Sequence, residues 1–457
     1  MNEQLIEEYK NFLNNGKTER ECVNELVKLA EEKGYKDICN FNTLKAGDKI
    51  YIKKMNKAIA LFEIGTEKIE TGLNILGAHL DSPRLDAKQN PLYEKENITY
   101  LNTHYYGGIK KYQWTAIPLA IHGVVCKKDG TTVKVVIGEN MDDPVFCISD
   151  ILPHLAQDQM KDKASDFIKG EDLDVLMGSI VPPKKNDSEK SDKSEKKTEK
   201  NEIKSKKIVL ELLKEMYGIS EDDFESAELE IVPAGKARDL GLDRSMILGY
   251  GQDDRSCAYA SFAAMMNVKA TKRTNCCLFV DKEEIGSVGA TGMASNLFEN
   301  MIAEIVARTN ETYSELSLRH CLQNSYMLSS DVNAAYDPLN AGLYDKENAS
   351  ILGAGVTFQK YTGSRGKSGA SDANPEFIAK VRAAMTKANV SYQMAELGKV
   401  DQGGGGTIAY HAAKYGMNVL DAGVAVLSMH APWEITSKED ISQMFEAYKA
   451  FLNIEEE

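Results

Sequence analysis

Glu283 and Glu284 stand side by side just beyond residues 275–280, an apolar run with enough β-formers to be a buried strand. Two neighbouring carboxylates at the end of such a strand are costly to desolvate unless a positive charge meets them. A metal ion would do so, one carboxylate ligating while its neighbour serves as base toward water that the ion activates. A solvated acidic turn is the plainer reading, and the pair alone does not choose between the two. Glycines at 286, 289 and 292 allow tight turns before a helix expected over about 291–308.

Four more polar clusters close predicted strands: His79 with Asp81, Asp253 with Asp254, Asp331, and His430. Open α/β sheets hold their ligands at such strand ends. Taken singly, each has a simpler account. A histidine after a strand can be a satisfied core residue, Asp253-Asp254 can cap the following helix, and Asp331 can open a turn. Taken together they offer two imidazoles and several carboxylates, a set suited to zinc, manganese or cobalt. No thiolate is among them, which argues against a structural zinc site. The count suits two ions: one carboxylate bridges, and an imidazole and a carboxylate remain for each. Two ions about 3.5–4 Å apart can share a water and polarise a carbonyl. One glutamate of the 283–284 pair is then left to take and return a proton.

The elements that must position these residues alternate between strand and helix. Strands are expected at 73–78, 247–250, 275–280, 326–329, 391–395 and 424–429, and helices at about 255–267, 371–388, 407–415 and 438–452. Leu5, Ile6, Tyr9, Phe12 and Leu13 form an apolar helical stripe, and Thr18 with Glu21 has the form of a capping box ahead of a second helix. Between the two halves the texture changes. Residues 100–114 and 133–137 read as a β-rich module, and 183–207 is a charged stretch too polar to bury a core, read as a disordered loop. The fold class is α/β, with 1–92 and 236–457 as one discontinuous domain and 93–235 as its β-rich insert.

A net charge of −14 over 457 residues argues against nucleic-acid binding driven by phosphate contacts. The first ten residues lack a secretory pattern, and no run approaches the roughly 20 apolar residues of a membrane span. Eight scattered cysteines without a Cys-x-x-Cys pair suggest reduced thiols in a cytoplasmic protein that meets neither nucleic acid nor membrane.

The combined set, His79-x-Asp81, Asp253-Asp254-Arg255, Glu283-Glu284-x-Gly286, Ser330-Asp331 and Ser428-Met429-His430, resembles the M18 metallo-aminopeptidases in order and spacing, over nearly the whole chain. It is also similar to the M42 tetrahedral aminopeptidases. The resemblance implies a mixed sheet sandwiched by helices and an insert that mediates dimerisation. It implies that His79 and Asp331 bind one ion, Glu284 and His430 the other, and that Asp253 bridges both. Glu283 would be the general base, and Asp81 would hydrogen-bond the distal nitrogen of His79 and fix its tautomer. A cis peptide is expected between Asp253 and Asp254. The ions would be zinc, with cobalt or manganese as alternatives.

In relatives a histidine of the insert reaches the neighbouring subunit's site, and His154 resembles it, although His104 and His122 lie in the same domain. Lys360 resembles the position where acid-selective relatives hold a cation beside the substrate side chain; its plainer reading is a surface lysine. The expected activity is release of single N-terminal residues, acidic or neutral, from short peptides by a homo-oligomer whose dimers build a tetrahedral dodecamer. A carboxypeptidase, an N-acyl amino acid deacylase and a catalytically silent scaffold are the alternatives.

Overall fold

The computed structural model describes residues 2–179, 204–269 and 271–455. Two compact units divide it: residues 1–83 with 235–457, and residues 84–234.

The first unit is built on a nine-stranded sheet. At its centre four strands run parallel, in the order Thr274–Val280, Leu73–His79, Tyr326–Ser330 and Asn418–Gly423. Every residue of the Leu73–His79 and Thr274–Val280 strands is buried, as expected when helices cover both faces and the strand sequence becomes a nearly continuous apolar run. Alternate side chains of one strand serve two cores. Leu76 and Ala78 join the core beneath the Glu3–Asn15, Gln252–Asn267 and Lys438–Leu452 helices. Leu73 and Ile75 join the one beneath the Leu297–Thr309 and Glu315–Gln323 helices. Antiparallel neighbours, Ala58–Glu63 on one side and Val356–Gln359 on the other, make the sheet mixed. The α/β class expected above is therefore the one found.

Because the four central strands are parallel, their C-terminal ends share one edge. A second sheet of five strands includes Met246–Gly249, Glu434–Ser437 and Ala425–Leu427, with Gly249 paired to Glu434. The N-terminal helix buries Leu5, Ile6, Tyr9, Phe12 and Leu13, and the Thr18 side chain caps the next helix by accepting from the Glu21 N–H.

The second unit carries a six-stranded antiparallel sheet. Its limit differs from the expected 93: the Arg84–Lys95 strand belongs entirely to this sheet, paired with Ile98–Tyr106 and Ala227–Pro233, so the division falls directly after Pro83. Of the charged stretch, residues 183–203 lie outside the described residues. Of the remaining four, three belong to a helix, Ser205–Tyr217, which starts three residues earlier than expected, and Lys204 is its N-cap residue. Among the described residues no helix is long and apolar enough to cross a membrane.

Candidate metal centre

Three of the parallel strands deliver polar side chains to the common edge. His79 is the last residue of its strand, Asp331 follows Tyr326–Ser330, and Glu283 and Glu284 follow Thr274–Val280 after a turn. That turn is a single 3₁₀ turn, Glu283–Ile285, flanked by left-handed residues Lys282 (φ 70°) and Gly286 (φ 95°). Asp253 enters from the start of the Gln252–Asn267 helix, and its peptide bond to Asp254 is cis, as expected. Gly251, at φ +70°, admits no side chain: a Cβ there would lie 2.2 Å from Arg255 Nη1 and 3.0 Å from Ser82 Oγ. His430 comes from the loop between Ala425–Leu427 and Glu434–Ser437 and has φ +63°.

These residues converge as two trios that share one member, His79–Asp253–Asp331 and Asp253–Glu284–His430. His79 Nε2 lies 3.3 Å from Asp253 Oδ1 and 4.0 Å from Asp331 Oδ1. His430 Nε2 lies 3.3 Å from Asp253 Oδ2 and 3.5 Å from Glu284 Oε2. The two oxygens of Asp253 thus face different imidazoles. Glu283 belongs to neither trio and stands beside them, its Oε2 3.9 Å from His79 Nε2.

The electrostatics show what such a set wants. Burial raises Glu284 and Asp331 well above the usual carboxylate range, and the neighbouring acids Asp253 and Asp254 respectively raise them further. Burial raises Glu283 to about 7, with His79 opposing and Asp81 and Asp253 adding. Burial also works against ionised Asp253, yet the imidazoles of His430 and His79 hold it well below its ordinary value. Glu284 Oε1 is buried with no hydrogen-bond partner among the described residues. Crowded acids, an orphaned carboxylate oxygen and two imidazoles directed at one carboxylate fit divalent cations, whose charge would offset the repulsion. Oxygen and nitrogen donors without a thiolate match zinc and its hard-to-borderline neighbours.

Asp81 does more than expected. His79 Nδ1 lies 3.0 Å from the Asp81 backbone oxygen and 3.4 Å from its carboxylate. The two carboxylate oxygens also accept the backbone N–H groups of Glu283 (3.1 Å) and Glu284 (3.2 Å). Asp81 therefore clamps the turn that presents both glutamates.

A cavity of about 940 Å³ opens over the trios. Lys360 is exposed and does not line it, which agrees with its plainer reading as a surface lysine and not with a cation held beside the substrate side chain. The preceding residue, Gln359, closes the Val356–Gln359 strand, is buried and does line it. The cations on the cavity wall are Arg365, Lys367 and Lys399, from loops of glycine and basic residues whose composition was the available clue. The glycines at 403–406 line it as well. In the second unit, His154 is exposed in a turn, His104 is exposed, and buried His122 is engaged with Glu139 at 3.1 Å.

The chain matches the family described as aminopeptidase I zinc metalloprotease (M18) over residues 12–452. A probable M18 family aminopeptidase 1 of Clostridium acetobutylicum is 57% identical over 453 residues, spanning 98% of this chain and 94% of the relative. The crystal structure of an M18 family aminopeptidase from Thermotoga maritima superposes with a TM-score of 0.92 at 42% identity, covering 99% of this chain and 96% of that one. The S. cerevisiae mApe1 dodecamer shares the fold at a TM-score of 0.74 and 19% identity, covering 97% and 95%.

Proposed function

The chain belongs to the M18 family of zinc metallo-aminopeptidases, and from that premise we propose that each subunit holds two divalent ions and releases single N-terminal residues, acidic or neutral, from short peptides. The observation that carries the two-ion reading is Asp253, whose two oxygens each face a different imidazole at 3.3 Å while each imidazole has a second carboxylate of its own. His79 and Asp331 would hold one ion, Glu284 and His430 the other, and Asp253 both.

Bound there, the ions supply Lewis acidity toward the scissile carbonyl and lower the pKa of the attacking water. Glu283, outside both trios, accepts the proton of that water and returns it to the departing amine. Asp81 holds the Glu283 backbone so that the carboxylate keeps its aim. The carboxylates lining the cavity attract the free α-ammonium of a peptide, which a carboxypeptidase or deacylase substrate lacks at that position. Arg365, Lys367 and Lys399 on the same wall favour an acidic first side chain without requiring one.

Zinc-loaded protein should cleave free-amine dipeptides and leave their N-acetylated forms intact, with Asp- or Glu-initiated peptides at least as good as Leu-initiated ones. Cleavage of acetylated peptides alone would reverse the assignment in favour of a deacylase.

We also propose a homo-oligomer in which dimers formed through the 84–234 unit assemble into a tetrahedral dodecamer, with His154 offered to a neighbouring subunit. The dodecameric S. cerevisiae relative supports this, as do Ile151, Leu152, Leu155 and Met160, large apolar side chains exposed within ten residues of His154. Light scattering at micromolar concentration should give a mass of many subunits; a single monomeric species would overturn the assembly.

A further inference from the structure

Glu434 is a buried carboxylate that the ligand set does not use. It is 1% exposed and absent from the cavity wall. Its Oε1 accepts the backbone N–H of His430 at 2.8 Å, and its Oε2 accepts the backbone N–H of Asp253 at 3.0 Å. One side chain thus ties together the main chains of two residues 177 positions apart (430 minus 253), both of them read above as ion ligands.

Its own position is secured from below. Glu434 opens the Glu434–Ser437 strand and is paired with Gly249 of Met246–Gly249. The Gln252 amide donates to the Glu434 carbonyl at 2.7 Å and to the Ile247 carbonyl at 3.2 Å. The oxygen of that amide accepts from Thr436 Oγ1 at 2.6 Å and from the Tyr9 hydroxyl at 3.1 Å. Every one of these groups is buried, so the network resists displacement.

The loop it restrains would not hold itself. Ser428 and His430 both sit in the left-handed region, at φ 57° and 63°, a conformation a non-glycine residue keeps only when its surroundings impose it. The hydrogen bond from the His430 N–H to Glu434 is one such restraint. Asp81 makes the same kind of clamp on the 283–284 turn, accepting the N–H groups of Glu283 and Glu284. Two buried carboxylates, each accepting a pair of backbone N–H groups, thereby hold four of the site's residues from behind.

We propose that Glu434 is a positioning residue that sets the spacing of the Asp253 carboxylate and the His430 imidazole, and through it the hold on the ion between them. The inference rests on the reading of those two residues as ligands. A carboxylate is the group that can do this, because it accepts at both ends. In Glu434→Gln the amide oxygen can still accept one N–H, while the amide nitrogen is left facing the other donor to donor.

The test is zinc competition against a chromophoric chelator, performed on the full-length protein alongside thermal unfolding of the zinc-free form. Wild type should take up two ions per subunit. E434Q should hold one of them about ten- to a hundredfold less tightly, the usual range for a partner one layer behind a ligand. Its turnover should recover most of the way when zinc is supplied in excess, and its zinc-free melting temperature should stay near wild type. Equal affinity in E434Q and wild type, or a lowered melting temperature with unchanged affinity, would overturn the inference and leave the two-ion reading intact. Wild type that takes up no zinc would overturn the two-ion reading and this inference together. If E434Q does not fold, Glu434→Asp keeps the charge but is one methylene shorter and reaches at most one N–H; the same weakening is expected. Failure of both variants to fold in the presence of zinc would make Glu434 a packing residue and refute the proposal.

Discussion

Glu283→Gln is expected to lose about 10²- to 10⁴-fold in turnover while retaining wild-type ion content. Gln has the size and shape of Glu, and an amide cannot take a proton from water at neutral pH. The backbone N–H of residue 283 still donates to Asp81, so the turn carrying Glu284 keeps its shape. The ligand trios do not include Glu283, which is why ions and turnover should separate in this variant. Metal analysis and steady-state kinetics on one preparation decide the matter. Normal turnover would remove Glu283 from the chemistry, and loss of ions in step with turnover would make it a ligand instead of a base.

Asp253→Asn should act in the opposite order, ions first. Asn keeps one oxygen that can ligate and replaces the other with an amide nitrogen that cannot, so no arrangement serves both ions at once. The negative charge that now faces both His79 Nε2 and His430 Nε2 is lost as well. Partners one layer behind a ligand cost about ten- to a hundredfold in affinity, so the shared ligand itself should cost at least about a hundredfold. Activity should be near background at equimolar zinc. The geometry also fixes a comparison: Asp331→Asn should impair one ion and spare the other, whereas Asp253→Asn impairs two. Stoichiometric uptake of two ions by the Asp253 variant would show that this carboxylate is not shared.

Much of this site is legible because its residues sit where strands end. The apolar runs closing at His79 and at 280 are buried on both sheet faces, and such strands announce themselves by composition. Polar residues directly after them have few uses in an otherwise apolar neighbourhood. Five such residues in one chain therefore point to a shared centre by their types and order alone. Other features leave no local trace. Residues 418–423 and 425–427 are separate strands of different sheets, although 424–429 reads as one continuous apolar run. The chain changes sheet between them, beside Gly423, where a Cβ would lie 2.0 Å from the Asp331 carbonyl oxygen. The helix expected from 291 begins at Leu297, because the chain is still turning through 286–296.

Lys360 lies just past the end of the Val356–Gln359 strand, where the chain leaves the sheet and the side chain meets solvent, a boundary that composition alone does not mark. Glu434 is invisible for a different reason. A glutamate that accepts two backbone N–H groups has no sequence signature, since its partners are main-chain atoms brought to it by sheet pairing. Candidate ligands are legible by their chemistry, whereas a carboxylate that holds their backbone is legible only in three dimensions.

On the two-ion reading proposed above, the two trios draw on different lengths of the chain: His79, Asp253 and Asp331 for one, and Asp253, Glu284 and His430 for the other. Emerging from its N-terminus, a growing chain would complete the first trio at residue 331 and the second only at residue 430, so the two sites would be finished in that order.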